Sequence, residues 1–220
     1  MPRVKPVIAV HGGAGTIERA YLTPEVERDI ETALRRALDA GYERLLASAP
    51  AEEGVTVAVG VLEASPLFNA GVGSVLTAEE EVEMDAALMR GADLAAGAVA
   101  GIRHVRSPIA LARAVMDRSE HVFLIGDGAE QFAFERGFSR VENRYFHTER
   151  RLRQLRAVRG RGRTVLDHDA EKLGTVGAVA RDRNGDLAAG TSTGGMTNKR
   201  FGRVGVTSQK VRALAAPQRG

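Results

Sequence analysis

Gly174-Thr-Val-Gly-Ala-Val-Ala180, followed by Thr191-Ser-Thr-Gly-Gly-Met-Thr197, decides how this chain is read. Residues 175–181 alternate small and branched side chains. Asp182-Arg-Asn-Gly-Asp186 supplies the Asn-Gly pair of a tight hairpin, and Leu187 to Thr193 reads as the returning strand. Such a hairpin brings Thr193 back beside Thr175, which follows a glycine at the mouth of a strand. If the 174–175 peptide bond breaks, Thr175 becomes an N-terminus. A threonine hydroxyl is a poor nucleophile alone, but an N-terminal threonine carries its own base, an α-amine with a pKa of about 7.7–8.0. The spacing by itself also fits a plainer reading, in which Gly-Thr begins an ordinary strand and Thr-Ser-Thr-Gly-Gly is a polar loop.

Further motifs lie upstream and downstream. They are His11-Gly-Gly-Ala-Gly15, Pro66-Leu-Phe-Asn-Ala-Gly-Val-Gly-Ser74, Val82-Glu-Met-Asp-Ala86 and Gly202-Arg-Val-Gly205. With the 174–197 stretch, these closely resemble the isoaspartyl peptidase/L-asparaginase family, the plant-type asparaginases among the N-terminal-nucleophile hydrolases. The resemblance runs over roughly residues 5–205. Gly194-Gly195 is similar to the isoaspartyl peptidase branch, whereas glycosylasparaginases tend to carry Asn-Gly there.

Composition bounds the alternatives. A chain of 220 residues, 44% hydrophobic and 27% charged, is long enough for one substantial core, and a single domain is the simplest reading. The net charge of +3 and the pI near 9.6 do not by themselves call for a nucleic-acid partner. With no cysteine, disulfides, thiolate metal sites and a cysteine nucleophile are all excluded. The opening apolar run is too short for a signal peptide and no other stretch suits a membrane span, so the expectation is a cytoplasmic protein with no membrane partner.

Val7–Val10 reads as a short strand entering the His11 glycine loop. That loop lacks the Lys-Ser/Thr ending of a phosphate-binding loop, so it reads as a structural turn and His11 as a hydrogen-bonded structural residue. Thr23-Pro24 caps a helix carrying Val26, Ile30, Ala33, Leu34, Ala37, Leu38 and Leu45 at helical spacing. Residues 52–63 are ambiguous between helix and strand, because Val55, Val57, Val59 and Val61 alternate; the resemblance favours a helix. Residues 98–105 and 121–126 read as strands, with helices from Ser107-Pro108 to about Asp117 and near 129–136. Pattern alone reaches α/β or α+β. The resemblance implies an α+β, four-layer αββα sandwich, here incomplete at the C-terminus.

Residues 149–164 hold seven arginines and little apolar content, which predicts a mobile linker, part of a segment at about 140–174. No aromatics are interleaved to stack bases, so an RNA-binding arm is disfavoured.

The resemblance also implies a chemistry. Thr175 Oγ attacks the Gly174 carbonyl to cut the chain into an α-part, 1–174, and the start of a β-part, 175–205. In the mature enzyme Thr175 attacks the amide of asparagine or of a β-aspartyl dipeptide. Thr193 would hold the nucleophile, Asn69 would steady the oxyanion, and Arg203 would grip the substrate α-carboxylate. Main-chain oxygens of Leu62, Glu63, Ser65, Phe68, Ala70 and Val72 would wrap a structural sodium, with no catalytic cofactor. A homodimer of processed α/β units is implied.

After Gly205 the family pattern continues Asp-Ser-Pro, whereas this chain has Val206-Thr-Ser208 and a tail to Gly220 that matches nothing in the family. The expected aspartate, which would bind the substrate ammonium, is absent. A frameshift or early stop would give this ending. The competing expectation is therefore an inactive fragment, or a binding protein that retains the scaffold.

Overall fold

The chain's capping and turn residues set most of the element boundaries found in a computed structural model, which describes residues 4–13, 22–160 and 174–204. Strand β1 (Val7–His11) precedes helix α1 (Pro24–Leu46). Thr23 Oγ1 accepts the Val26 N–H at 3.3 Å, satisfying one orphan donor of the first turn, and Pro24 occupies a position where its missing N–H is harmless.

Helix α2 (Ala51–Glu63) resolves the valine ambiguity. Its buried residues Val55, Ala58, Val59 and Leu62 keep the helical period, while Val57 and Val61 sit at half-buried positions. Pro50 cannot cap it with a side chain. Asp182, from the distant hairpin turn, accepts the Ala51 N–H at 3.2 Å instead.

Strands β2 (Met84–Arg90) and β3 (Ala96–Ile102) follow, then α3 (Pro108–Arg118), β4 (Phe123–Ile125), α4 (Gly126–Glu135), a 3-10 turn at Asn143–Phe146 and α5 (Glu149–Arg159). The hairpin of β5 (Val176–Arg181) and β6 (Leu187–Thr193) completes the described elements. Asp182 Oδ1 accepts the Asn184 and Asp186 N–H groups at 2.8 and 3.1 Å, which fixes the Asn-Gly turn.

The six strands form one mixed sheet in the order β1-β5-β6-β2-β3-β4, antiparallel throughout except for the parallel β3–β4 pair. Helices α1 to α3 cover one face, with Val55, Leu62, Ile109 and Val115 packed on Ala86, Leu88, Val99, Ala178 and Ala188. Gly190 makes that approach possible: a β-carbon there would lie 2.8 Å from Val55 Cγ1. The opposite face carries a small cluster of Ala87, Met89, Ala98 and Ala189, and leaves Val7, Val179, Phe123 and Ile125 exposed. The class is thus α+β, and the sheet with its helical layer is consistent with a sandwich; the described residues contain one sheet.

Three expectations need correction. The strand predicted at 98–105 spans 96–102, and the strand at 121–126 is only three residues long. More substantially, the arginine-rich stretch is not devoid of buried surface. Over Glu149–Arg159 it is a helix that buries Arg151, Leu155 and Val158, with Leu155 packed among Leu76, Val82, Met84 and Phe146. Arginine stems are apolar, so a charge count underestimates what such a helix can bury. The rest of that stretch, the Val206 departure and the C-terminal tail lie outside the described residues.

Candidate active site

The hairpin places the two threonines as its pattern predicted. Thr175 precedes β5, Thr193 ends β6, and the Thr175 hydroxyl donates to Thr193 Oγ1 at 2.9 Å. Thr193 Oγ1 also accepts the Gly195 N–H at 3.1 Å, so its own position is held by the turn that follows.

Asn69 is fully buried on the loop after α2 and ties that loop to the same turn. Its Nδ2 donates to Gly195 O at 2.8 Å, its Oδ1 accepts the Val75 N–H at 3.0 Å, and its carbonyl accepts the Gly194 N–H at 3.0 Å. Gly194 cannot be replaced without disruption, since a β-carbon would lie 2.5 Å from Asn69 Oδ1 and 2.6 Å from Ser74 Cβ.

Gly195 sits between two cations. Its absent β-carbon would be 3.3 Å from Lys199 Nζ and 3.4 Å from Arg203 Nη1. Arg203 therefore reaches the turn that Asn69 and Thr193 hold. Lys199 is buried and donates to Glu83 O at 2.8 Å, with Glu83 Oε2 at 3.8 Å. Burial lowers its pKa, against the pull of Asp85 and Glu83. Lys199 is thus held on one side by Glu83 and, with Arg203, lies against Gly195 on the other.

Sequence reasoning passed over two contacts. Gly13, at φ +122°, packs directly on the Gly174 backbone, where any side chain would collide with the N, Cα and C atoms of Gly174. The glycine loop after β1 therefore abuts the bond before Thr175; only the Gly-Gly pair hinted at this. The second is the side chain of Glu63, which lies fully buried behind β6. It accepts Ser107 Oγ–H at 2.5 Å and the Ile109 N–H at 2.9 Å. Burial pushes its pKa up to about 7, against the opposing pull of the Ser107 and Ser192 hydroxyls and Ile109 N–H. His11 stays a structural neighbour, packed on Gly177, and burial lowers its pKa.

The 62–72 loop closes on itself, with Val72 N–H donating to Glu63 O at 2.7 Å and Ser65 N–H to Leu62 O at 3.1 Å. Gly71 at φ +51° fits against the Glu63 carbonyl where a β-carbon would collide. Main-chain oxygens are hard, neutral donors, which suit a hard cation and no transition metal. Among the described residues no group of three or more His, Cys, Asp or Glu side chains could hold a metal ion. No described helix is long and apolar enough to cross a membrane.

A hydroxyl pair stands on a hairpin end, a buried amide grips the following Gly-Gly turn, and an arginine lies beside it. The sequence agrees with that geometry: residues 4–209 match the family model described as Asparaginase, and the chain belongs to that family. It is 52% identical over 207 residues to the isoaspartyl peptidase of Salmonella typhimurium, covering 91% of this chain and 66% of that protein. The isoaspartyl peptidase of Escherichia coli is equally similar at 52%, with 64% of that protein covered. The plant-type L-asparaginase of Pyrococcus abyssi is 44% identical over 212 residues, with 91% of this chain and 67% of that protein covered. The chain thus spans about two thirds of the length of these relatives.

Proposed function

We propose that the chain is the nucleophile-bearing part of a self-processing threonine amidohydrolase acting on β-aspartyl dipeptides and L-asparagine. The observation that carries this reading is the 2.9 Å bond between the Thr175 and Thr193 hydroxyls, at the end of a hairpin whose next turn is gripped by Asn69. In processing, Thr175 Oγ attacks the Gly174 carbonyl carbon, the amide nitrogen leaves as the new α-amine, and water hydrolyses the ester. The freed α-amine then serves as the base that takes the Thr175 hydroxyl proton.

In turnover, Thr175 Oγ attacks the substrate's side-chain amide or isopeptide carbon, and ammonia or an amino acid leaves with the proton. Water resolves the acyl-enzyme to aspartate and the free hydroxyl. Thr193 orients the nucleophile, the Asn69 amide steadies the developing oxyanion, and Arg203 offers two parallel donors to the α-carboxylate. The names of its relatives, an isoaspartyl peptidase and a plant-type L-asparaginase, support the substrate class.

A sodium ion held by the main-chain oxygens of Leu62, Glu63, Ser65, Phe68, Ala70 and Val72 would stiffen the loop that carries Asn69, without entering the chemistry. A cytoplasmic homodimer of processed α/β units completes the reading.

Intact-mass analysis tests it. The purified chain should yield one piece ending at Gly174 and one beginning at Thr175, and Thr175→Ala should remain whole. Cleavage elsewhere, or equal cleavage in the alanine variant, rejects the processing step. Aspartate release from a β-aspartyl dipeptide, lost in Thr175→Ala, tests the hydrolysis.

A further inference from the structure

We propose that Arg151 is a positioning residue for the Thr175–Thr193 pair: its guanidinium, buried under α5, clamps Gly73 and so sets Asn69 against Gly194 and Gly195. The inference rests on the amidohydrolase reading for its functional meaning, but its physical content stands on the contacts alone.

Arg151 is 1% exposed, the bulkiest fully buried side chain among the described residues. Taking a guanidinium out of water costs several kcal/mol unless strong acceptors replace the solvent, and arginine cannot shed its proton to escape. An apolar residue would have seated α5 on Leu76, Met84 and Phe146 at far smaller expense. What the arginine adds is a donor. Its Nε–H reaches Gly73 O at 2.6 Å, while Nη1 donates to Gln154 Oε1 at 2.9 Å. The Gly73 N–H donates in turn to Phe146 O at 3.1 Å, so both polar groups of this one residue are fastened to the 146–151 segment.

The neighbouring arginine extends the grip. Arg150 Nη2 donates to Leu67 O at 2.8 Å and to Pro66 O at 3.3 Å. A loop with no strand or helix partner must find donors for its carbonyls, and here α5 delivers them on both sides of Asn69. From Gly73 the contacts run inward without a gap. Two residues on, Val75 N–H holds Asn69 Oδ1; Asn69 holds both glycines of the turn; and the Gly195 N–H holds Thr193, which accepts from Thr175. Because α5 sits on its own small cluster of Leu76, Val82, Met84, Phe146 and Leu155, the clamp can be loosened without opening the core between the sheet and α1–α3.

Hydrogen exchange on the full chain tests this, with Arg151→Met keeping the stem and removing every donor. Amide exchange at Val75, Gly194 and Gly195 should speed up about ten- to a hundredfold, as expected for losing a hydrogen bond from a charged donor. The hairpin amides of Val179 and Ala189 should not change. Arg159→Met, at an exposed arginine that holds Glu80 and the Ala78 carbonyl, should leave all five amides as they are. If Arg151→Met does not fold, Arg151→Ala with millimolar guanidinium serves instead: guanidinium should restore protection at the three site amides, and equal potassium chloride should not.

Cleavage at 174–175, followed by mass on the same samples, should slow by a similar factor and recover with guanidinium. Uniform acceleration across the site and the hairpin, no acceleration at all, or failure of guanidinium to rescue would each overturn the proposal. Exchange is read whether or not the parent chain cuts itself, so an uncut parent rejects the amidohydrolase reading and leaves the clamp under test.

Discussion

The two faces of the central sheet are built from the same six strands and do opposite work. On the helical face the strands present Ala86, Leu88, Val99, Ala178, Ala188 and Gly190 to α1–α3, and nearly every side chain is an apolar volume chosen for fit. On the other face stand Thr175, Thr191, Thr193, His11 and Asp85, beside Val7, Val179, Phe123 and Ile125, which remain substantially exposed. Strand alternation enforces this division: Ser192 and Thr193 are neighbours in sequence, yet one faces the buried Glu63 and the other the Thr175 hydroxyl. If the proposed function holds, one face carries stability and the other chemistry, so substitutions one residue apart should separate the two.

The largest expected effect tests that separation directly. Thr193→Val keeps the shape and removes the hydroxyl that receives Thr175, so cleavage at 174–175 should slow by about a hundredfold to a thousandfold, the scale of losing a preorganised polar partner at a reacting centre. Because the same hydroxyl accepts the buried Gly195 N–H, stability should fall as well, by about 1–3 kcal/mol, so the test is the much larger loss of cleavage. Ser192→Ala should spare cleavage, leaving it near the parental rate while shifting stability by about 1 kcal/mol. Parallel mass-kinetics and thermal melts check both; a Ser192→Ala chain that fails to cut while melting normally would break the division.

Much of the division was legible in the sequence, and its gaps have physical causes. The Asn184-Gly185 turn and the Thr23 and Ser107 caps announced the hairpin, α1 and α3, because those signals are local. Strand β2 left no such mark: Met84-Asp-Ala-Ala-Leu-Met-Arg90 is made of helix-favouring residues and is buried on both sides, so no alternation shows. Helix α5 was misread because arginine's charge masks its stem. Thr175, Thr193, Asn69 and Arg203 lie around Gly194-Gly195, and the roles that the resemblance implies for them belong to the proposed function. Gly13 against Gly174, the Lys199 anchor and the Arg151 clamp could not be read, since each depends on residues far apart in the chain meeting through the fold.

Glu63 sharpens the comparison from the helical side. Its folded pKa, about 7, lies above its ordinary value of 4.5, so the folded state holds the proton more tightly than the unfolded one. The contribution is complete below about pH 4.5 and is lost as pH rises through about 7, amounting to about 3 kcal/mol for a group so fully buried. Glu63→Gln keeps a neutral side chain at every pH. Relative to the parent, it should therefore gain stability steadily between about pH 5 and pH 8 in urea titrations, and a gap independent of pH would show that the carboxyl is solvated.

A third test pairs neighbours on β6. Gly190→Val pushes a side chain into Val55, Leu88 and Ile109, and should cost about 1–3 kcal/mol in urea unfolding. Thr191→Val points the other way. The Thr191 hydroxyl is buried and makes no hydrogen bond among the described residues, so exchanging it for a methyl should be neutral or slightly stabilising.

The smallest effect is expected at the sheet edge, where the comparison is most exposed to error. Ile125 ends β4 on the threonine-bearing face, is 63% exposed, and stands near Phe123 at 48%. Ile125→Thr keeps a β-branched side chain suited to a strand and removes apolar surface that water already reaches. A surface change of this kind shifts stability by no more than about 0.5 kcal/mol, so the urea midpoint should barely move. A loss well beyond that would mean Ile125 is buried in solution, by another copy or another chain. The face that holds the threonines would then be a packed interior like its partner, and the two-face contrast would describe this chain by itself and not its working assembly.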